Sequence, residues 1–317
     1  MSRLEIHIPI SPTPSFVTMV HYFAATLRRY SGRFKDAWLV ASVGEDCDPF
    51  DIGATQPQLA RHDITWRWAN RDDFRRNSYN ATGLTSRAMP FEVELVMIAD
   101  AAPLVMGDFS DAAEQLARPF GIAAVPATWP PWLGRGKGDV DRIELFALAG
   151  LPTPVFDCPH LGHGVYYPVG AGMDAGPAYF SYGVVLGTRD AMSAIASTVP
   201  ANYFLAVEFL RTDLAAQVGS TLSIIRSALT YRALPVRYSF SADYRAHEVF
   251  PAETADVLIL HYLNCPFRKH VNTASPSAVA TRLKDHRDDQ GAHAQFIFNV
   301  VNRADNAVVA ESADSTA

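Results

Sequence analysis

The first hundred residues alternate between two hydrophobic periods. "LEIHIPI" (4–10) is a near-continuous apolar run of strand length, closed by Pro12 and Pro14. In "SFVTMVHYFAATLRRY" (15–30), Phe16, Met19, Val20, Phe23 and Leu27 recur at helical spacing. Ser15 is the expected N-cap of that helix and Gly32 its stop. "DAWLVASVG" (36–44) predicts a second strand. "DITWRWAN" (63–70), alternating Ile64, Trp66 and Trp68, predicts a third. A polar segment over 71–90 then leads into "LVMIA" (95–99), apolar throughout, as a strand covered on both faces would be. The order β-α-β-β-α-β predicts an α/β fold with a mainly parallel central sheet flanked by helices.

The middle of the chain is punctuated by proline and glycine over 126–176, with one predicted helix in "VDRIELFALAG" (140–150). "AYFSYGVVLG" (178–187) predicts a strand, and helices are expected over 188–211 and 213–232. "LPVRYSF" (234–240) and "ADVLILHYL" (255–263) complete the expected strands. From about 272 the chain turns polar. No repeat or linker interrupts it, so one domain over 1–271 is expected. Residues 272–317 are expected to be a polar, partly disordered extension.

Composition changes this picture little. Half of the 317 residues are hydrophobic, enough for a large core. The net charge of −6 does not suggest nucleic-acid binding. Three widely spaced cysteines argue against a disulfide framework. No apolar run approaches the roughly 20 residues of a membrane span, and the N-terminus lacks the core of a secretion signal. A cytoplasmic protein without a transmembrane segment is the expectation.

Candidate chemistry starts at Asp100. It stands at the carboxyl end of an apolar strand, where open α/β sheets place their ligand crevice. A carboxylate two residues on would face the same side and complete a clamp for Mg²⁺ or Mn²⁺. That position holds Ala102. Asp100 alone reads equally well as a turn residue. His261, inside an apolar strand, reads either as a ligand or as a hydrogen-bonded core histidine. "DCPHLGH" (157–163) and "GRGKG" (134–138) match neither a zinc pattern nor a phosphate-binding loop and read as surface loops; Arg135 or Lys137 would reach a diphosphate if the second loop served as a lid.

Taken together, "TSRAMPFEVELVMIADAAPLVMGDFSDA", "YFSYGVVLG", "AAQVGSTLSIIRSALTYRALPVRYSF" and "LILHYLNCPFRKH" resemble, in order and spacing, the GT-A fold glycosyltransferases, the glycogenin-like and related groups among them. Ala102, Ser181 and Ala216 replace an Asp, an Asn and an Asp of that pattern. The resemblance implies a hexosyltransferase using a nucleoside diphosphate sugar, UDP-linked, and a glycan, lipid or protein acceptor, with 1–110 as the nucleotide-binding half of the domain and 111–271 as its acceptor-side half. It implies His7, Pro9, Arg87, Asp100, Ala102, Ser181 and Gly183 around the nucleotide sugar. Asp100 and His261 would face Mn²⁺ or Mg²⁺, and Gln217 the reaction centre; an inverting enzyme needs a carboxylate base there, for which Asp213 or Glu208 is the nearest candidate. Ala102 and Ala216 keep two other readings open: an inactive nucleotide-sugar or glycan binding protein, and a metal-independent transferase.

Overall fold

The computed structural model describes residues 3–72, 91–100, 103–116, 121–127, 139–153, 155, 179–210, 215–242, 244–262 and 291–314. The apolar runs of the N-terminal part become parallel strands: β1 (Leu4–Ile10), β2 (Trp38–Val43), β3 (Ile64–Trp68) and β4 (Leu95–Ala99). β5 (Pro103–Val105), β6 (Gly121–Pro126), β7 (Phe180–Thr188), β8 (Thr230–Ala233), β9 (Phe240–Ser241) and β10 (Ile259–His261) follow. The principal helices are α1 (Pro14–Tyr30), α2 (Asp139–Leu148), α3 (Arg189–Leu210), α4 (Ala215–Arg226) and α5 (Gly291–Asp314). Among the described residues, no helix is long and apolar enough to cross a membrane.

Seven strands form the central sheet in the order β3-β2-β1-β4-β7-β6-β8. β1, β2, β3 and β4 pair in parallel, as do β6 and β8; β7 runs antiparallel to both its neighbours. A second sheet, β5-β10-β9, stands beside the end of β4. The mixed α/β architecture with a mainly parallel sheet agrees with the sequence expectation.

Each face of the sheet has its own core. Ile6, Ile8, Leu95 and Met97 pack with Phe23 and Leu27 of α1. Val96 and Ile98, on the opposite side of β4, pack with Met192 and Ile195 of α3. Being covered twice, β4 is buried at all five positions, and its unbroken apolar sequence follows from that. α1 begins at Pro14, which suits the first helical position because its missing N–H would be unpartnered there. Its cap is Thr13, whose side chain accepts from the Phe16 amide, not Ser15 as the sequence suggests. Gly32 does close the segment, in a left-handed conformation (φ +61°).

Three expectations differ. "LPVRYSF" forms a 3₁₀ turn over Val236–Ser239 followed by the two residues of β9, and among the described residues of "ADVLILHYL" the strand covers Ile259–His261. β6 and β8 were not expected: "GIAAVP" is too short to show a clear period, and most of "TYRA" lay in the helix expected over 213–232, which instead ends at Arg226; their strand state comes from pairing with each other and, for β6, with β7. The polar tail contains α5, which lies on α1 with Val300, Ala304 and Ala307 buried. Tyr22 of α1 donates a hydrogen bond to Asp305 at 2.9 Å, and Arg303 stacks over the Tyr30 ring, its Cζ 4.3 Å from the centroid. Its apolar residues form a sparse stripe, so the helix is legible mainly through the surface it covers.

Candidate functional site

The site is built where β4 stops. After Ala99 the chain leaves the large sheet, and three residues later it starts β5 in the small one. β5 pairs antiparallel with β10, in a register that sets His261 opposite Pro103. The step from β4 to β5 therefore brings Asp100 against His261, although the two lie far apart in sequence. Their side chains meet at 3.6 Å (Oδ2 to Nε2), both partly open to solvent. Thr26 of α1 anchors this step from below: its buried hydroxyl accepts from the Val105 amide at 3.2 Å and donates to the Tyr22 carbonyl at 2.8 Å.

β7 supplies the opposite wall. Its pairing with β6 is regular at Val185 and resumes only at Phe180, with a shift between Ala124 and Pro126. Phe180 and Val185 are an odd number of residues apart, yet both enter the same core cluster. A regular strand would turn them to opposite faces, so the irregularity between them re-aims Ser181, Tyr182 and Gly183, as bulges beside active sites do. The Tyr182 carbonyl accepts from the Asp100 amide at 3.2 Å, tying the bulge to the end of β4.

Gly183 is required by close approach. A Cβ there would lie 2.3 Å from Ser239 Oγ and 3.0 Å from His261 Cδ2. The bare backbone thus lets the 3₁₀ turn and the imidazole reach the crevice. The Ser181 hydroxyl accepts from the Gly183 amide at 3.2 Å.

Asp100, His261, Gly183 and Ser181 are brought together at the end of β4. Ser239 joins them unannounced. Its sequence signal was faint, a lone serine in a run read as a strand, and only the Gly183 approach reveals it. Gln217 sits elsewhere on the same wall: it lines an apolar pocket with Ile98, Tyr182, Met192, Ile195 and Thr221. The Tyr182 hydroxyl, bonded to the Ala216 carbonyl and to Ser220 Oγ, joins β7 to α4 beside that pocket. His7 lies deeper in the sheet, fully buried and bonded through Nε2 to Glu5, whose other oxygen accepts from the Phe91 amide at 3.1 Å. Pro9, in register with Ser42 of β2, is nearer the carboxyl end of β1. Arg87, Ala102 and Asp213 lie outside the described residues, as do Arg135, Lys137 and the 157–163 segment.

The donor set determines which cation the site can take. Among the described residues no group of three or more His, Cys, Asp or Glu side chains converges on a metal position. His261 Nε2 nevertheless has no hydrogen-bond partner and faces the Asp100 carboxylate. One carboxylate and one imidazole fit two positions of a six-coordinate Mg²⁺ or Mn²⁺ ion, which commonly completes its shell with water and substrate phosphate oxygens.

No family model matches the sequence, and no curated protein matches it. Solved structures do. Galactosyltransferase LgtC, determined in complex with donor and acceptor sugar analogs, superposes with a TM-score of 0.51 over 94% of this chain and 95% of its own, at 12% identity. Mouse xyloside xylosyltransferase 1 in its apo form gives a TM-score of 0.48 over 83% and 98%, also at 12% identity. The bifunctional glycosyltransferase WbbM gives 0.43, covering 95% of this chain and 50% of that one, at 12% identity. With its seven-stranded, mainly parallel sheet, its small accessory sheet at the end of β4 and its end-to-end likeness to LgtC, the chain has a GT-A-like α/β fold.

Proposed function

We propose that the protein is a glycosyltransferase that moves a sugar from a nucleoside diphosphate donor, UDP-linked, to a glycan, lipid or protein acceptor. The observation that carries this reading is the Asp100–His261 pair, 3.6 Å apart at the crevice end of β4, within a fold shared with a galactosyltransferase. Glycosyl transfer builds negative charge on the departing diphosphate, and fixed positive charge there lowers the barrier. Asp100 and His261 would hold Mg²⁺ or Mn²⁺, which when bound neutralises that charge.

The remaining roles fall to this chain's own groups. The Ser181 oxygen is engaged by the Gly183 amide, leaving its O–H to donate to a donor-sugar hydroxyl. Gly183, lacking a side chain, lets Ser239 and His261 pack against β7 beside the donor sugar. Pro9 borders the nucleotide at the end of β1. Arg87 is proposed for the diphosphate, and Gln217 and Asp213 for the reaction centre. His7, locked to Glu5, orders β1 beneath the nucleotide.

Calorimetric titration with UDP and a panel of UDP-sugars, with and without Mn²⁺, tests the proposal. The unmodified chain is expected to bind at least about tenfold more tightly with Mn²⁺, a change of about 1.4 kcal/mol, and to turn over one donor. Asp100→Asn and His261→Ala are expected to lose the Mn²⁺ enhancement. Binding that ignores the metal, with no turnover, would refute a metal-dependent transferase. No binding of any nucleotide sugar would refute the reading altogether.

A further inference from the structure

We infer that Ser239 is a donor-binding residue, its hydroxyl directed to the diphosphate held at Asp100 and His261; this rests on the glycosyltransferase reading above. The first ground is position. Ser239 Oγ is the atom nearest to where a Gly183 side chain would begin, and His261 is the next. The hydroxyl therefore stands beside the imidazole, against the bare backbone of the β7 bulge.

The second ground is the chemistry beside the hydroxyl. Ser239 is only 8% exposed, and the neighbouring His261 Nε2 has no hydrogen-bond partner. A hydroxyl both accepts and donates. With a cation facing Asp100 and His261, the complementary partner for its O–H is a phosphate oxygen.

The third ground is rigidity. The turn that carries Ser239 is pinned on several sides. The Arg237 amide donates to Glu253 at 3.0 Å, and its guanidinium pairs with Asp256 and, at 3.5 Å, with Asp111. The Arg237 carbonyl accepts from the Leu258 amide at 2.9 Å, and the His261 carbonyl accepts from Ala242 at 2.9 Å. These bonds lock the 3₁₀ turn to β10, so Ser239 and His261 move as one unit. A donor held in this way loses little freedom when a ligand arrives.

The test is Ser239→Ala, titrated with UDP and with uridine in the presence of Mn²⁺, its melting temperature recorded beside that of the unmodified chain. Loss of one hydrogen bond to a charged group predicts UDP binding weaker by about tenfold or more, with uridine binding unchanged. Ser239→Thr, which keeps the hydroxyl, is expected to bind UDP more tightly than Ser239→Ala. Equal UDP affinity in Ser239→Ala and the unmodified chain would overturn the inference while leaving the transferase reading intact. Equal weakening for UDP and uridine would also overturn it, since the effect would not be at the diphosphate. Failure of the unmodified chain to bind UDP would overturn both.

Discussion

Adding one methyl group at Gly183 tests the packing on which the site depends. In Gly183→Ala the new Cβ would start 2.3 Å from Ser239 Oγ and 3.0 Å from the His261 ring. The first distance is about an ångström inside van der Waals contact, the second a few tenths. The backbone cannot retreat easily, because Tyr182 is tied on one side to the Asp100 amide and on the other to α4. Overpacking of this kind costs about 1–3 kcal/mol. The nearest offending atom is a single oxygen, so Ser239→Ala should recover a large part of the loss. The double variant should then show a coupling energy of about 1 kcal/mol, in the range found for residues in contact. Urea denaturation of the four proteins of the cycle reads these values, and UDP titration of the same samples reads the site. The reasoning is refuted if Gly183→Ala changes stability by less than about 0.5 kcal/mol, or if the two substitutions are additive.

Two further outcomes are expected. His21 and His62 pack ring against ring, their centroids 5.1 Å apart; desolvation, helped by Arg61, lowers His21 from 6.5 to about 4, and desolvation with His21, Arg61 and Arg28 lowers His62 to about 3. Both fold in the neutral form and bind fewer protons than the unfolded chain, so their contribution is complete above pH 6.5 and is lost as pH falls towards 4 and 3. For His21 alone the loss is about 3 kcal/mol, and His21→Gln should flatten the pH dependence of the urea midpoint over that window; an unchanged slope would refute the assignment. Thr26→Val keeps the shape of the side chain but strips the buried Val105 amide of its acceptor, so a loss of about 1–3 kcal/mol is expected in the same denaturation assay, with weaker Mn²⁺-dependent UDP binding because β5 positions the Asp100–His261 step.

The sequence by itself determined the elements that follow from local periodicity. β1, α1, β2, β3 and β4 appear within a few residues of their apolar patterns, because a strand covered on both faces or a helix with one buried stripe writes its burial into the chain. The position of Asp100 at the end of β4 was legible for the same reason. What only the tertiary structure decided is where that carboxylate points and what meets it. The pairing of β10 with β5, the bulge in β7 and the 3₁₀ turn at Val236–Ser239 each depend on contacts between segments far apart in sequence. No local period records those contacts. α5 was hidden likewise, since its few buried residues make sense only against α1. Ser239 could not have been singled out in a string of letters: it matters because Gly183, on another strand, has no side chain to exclude it.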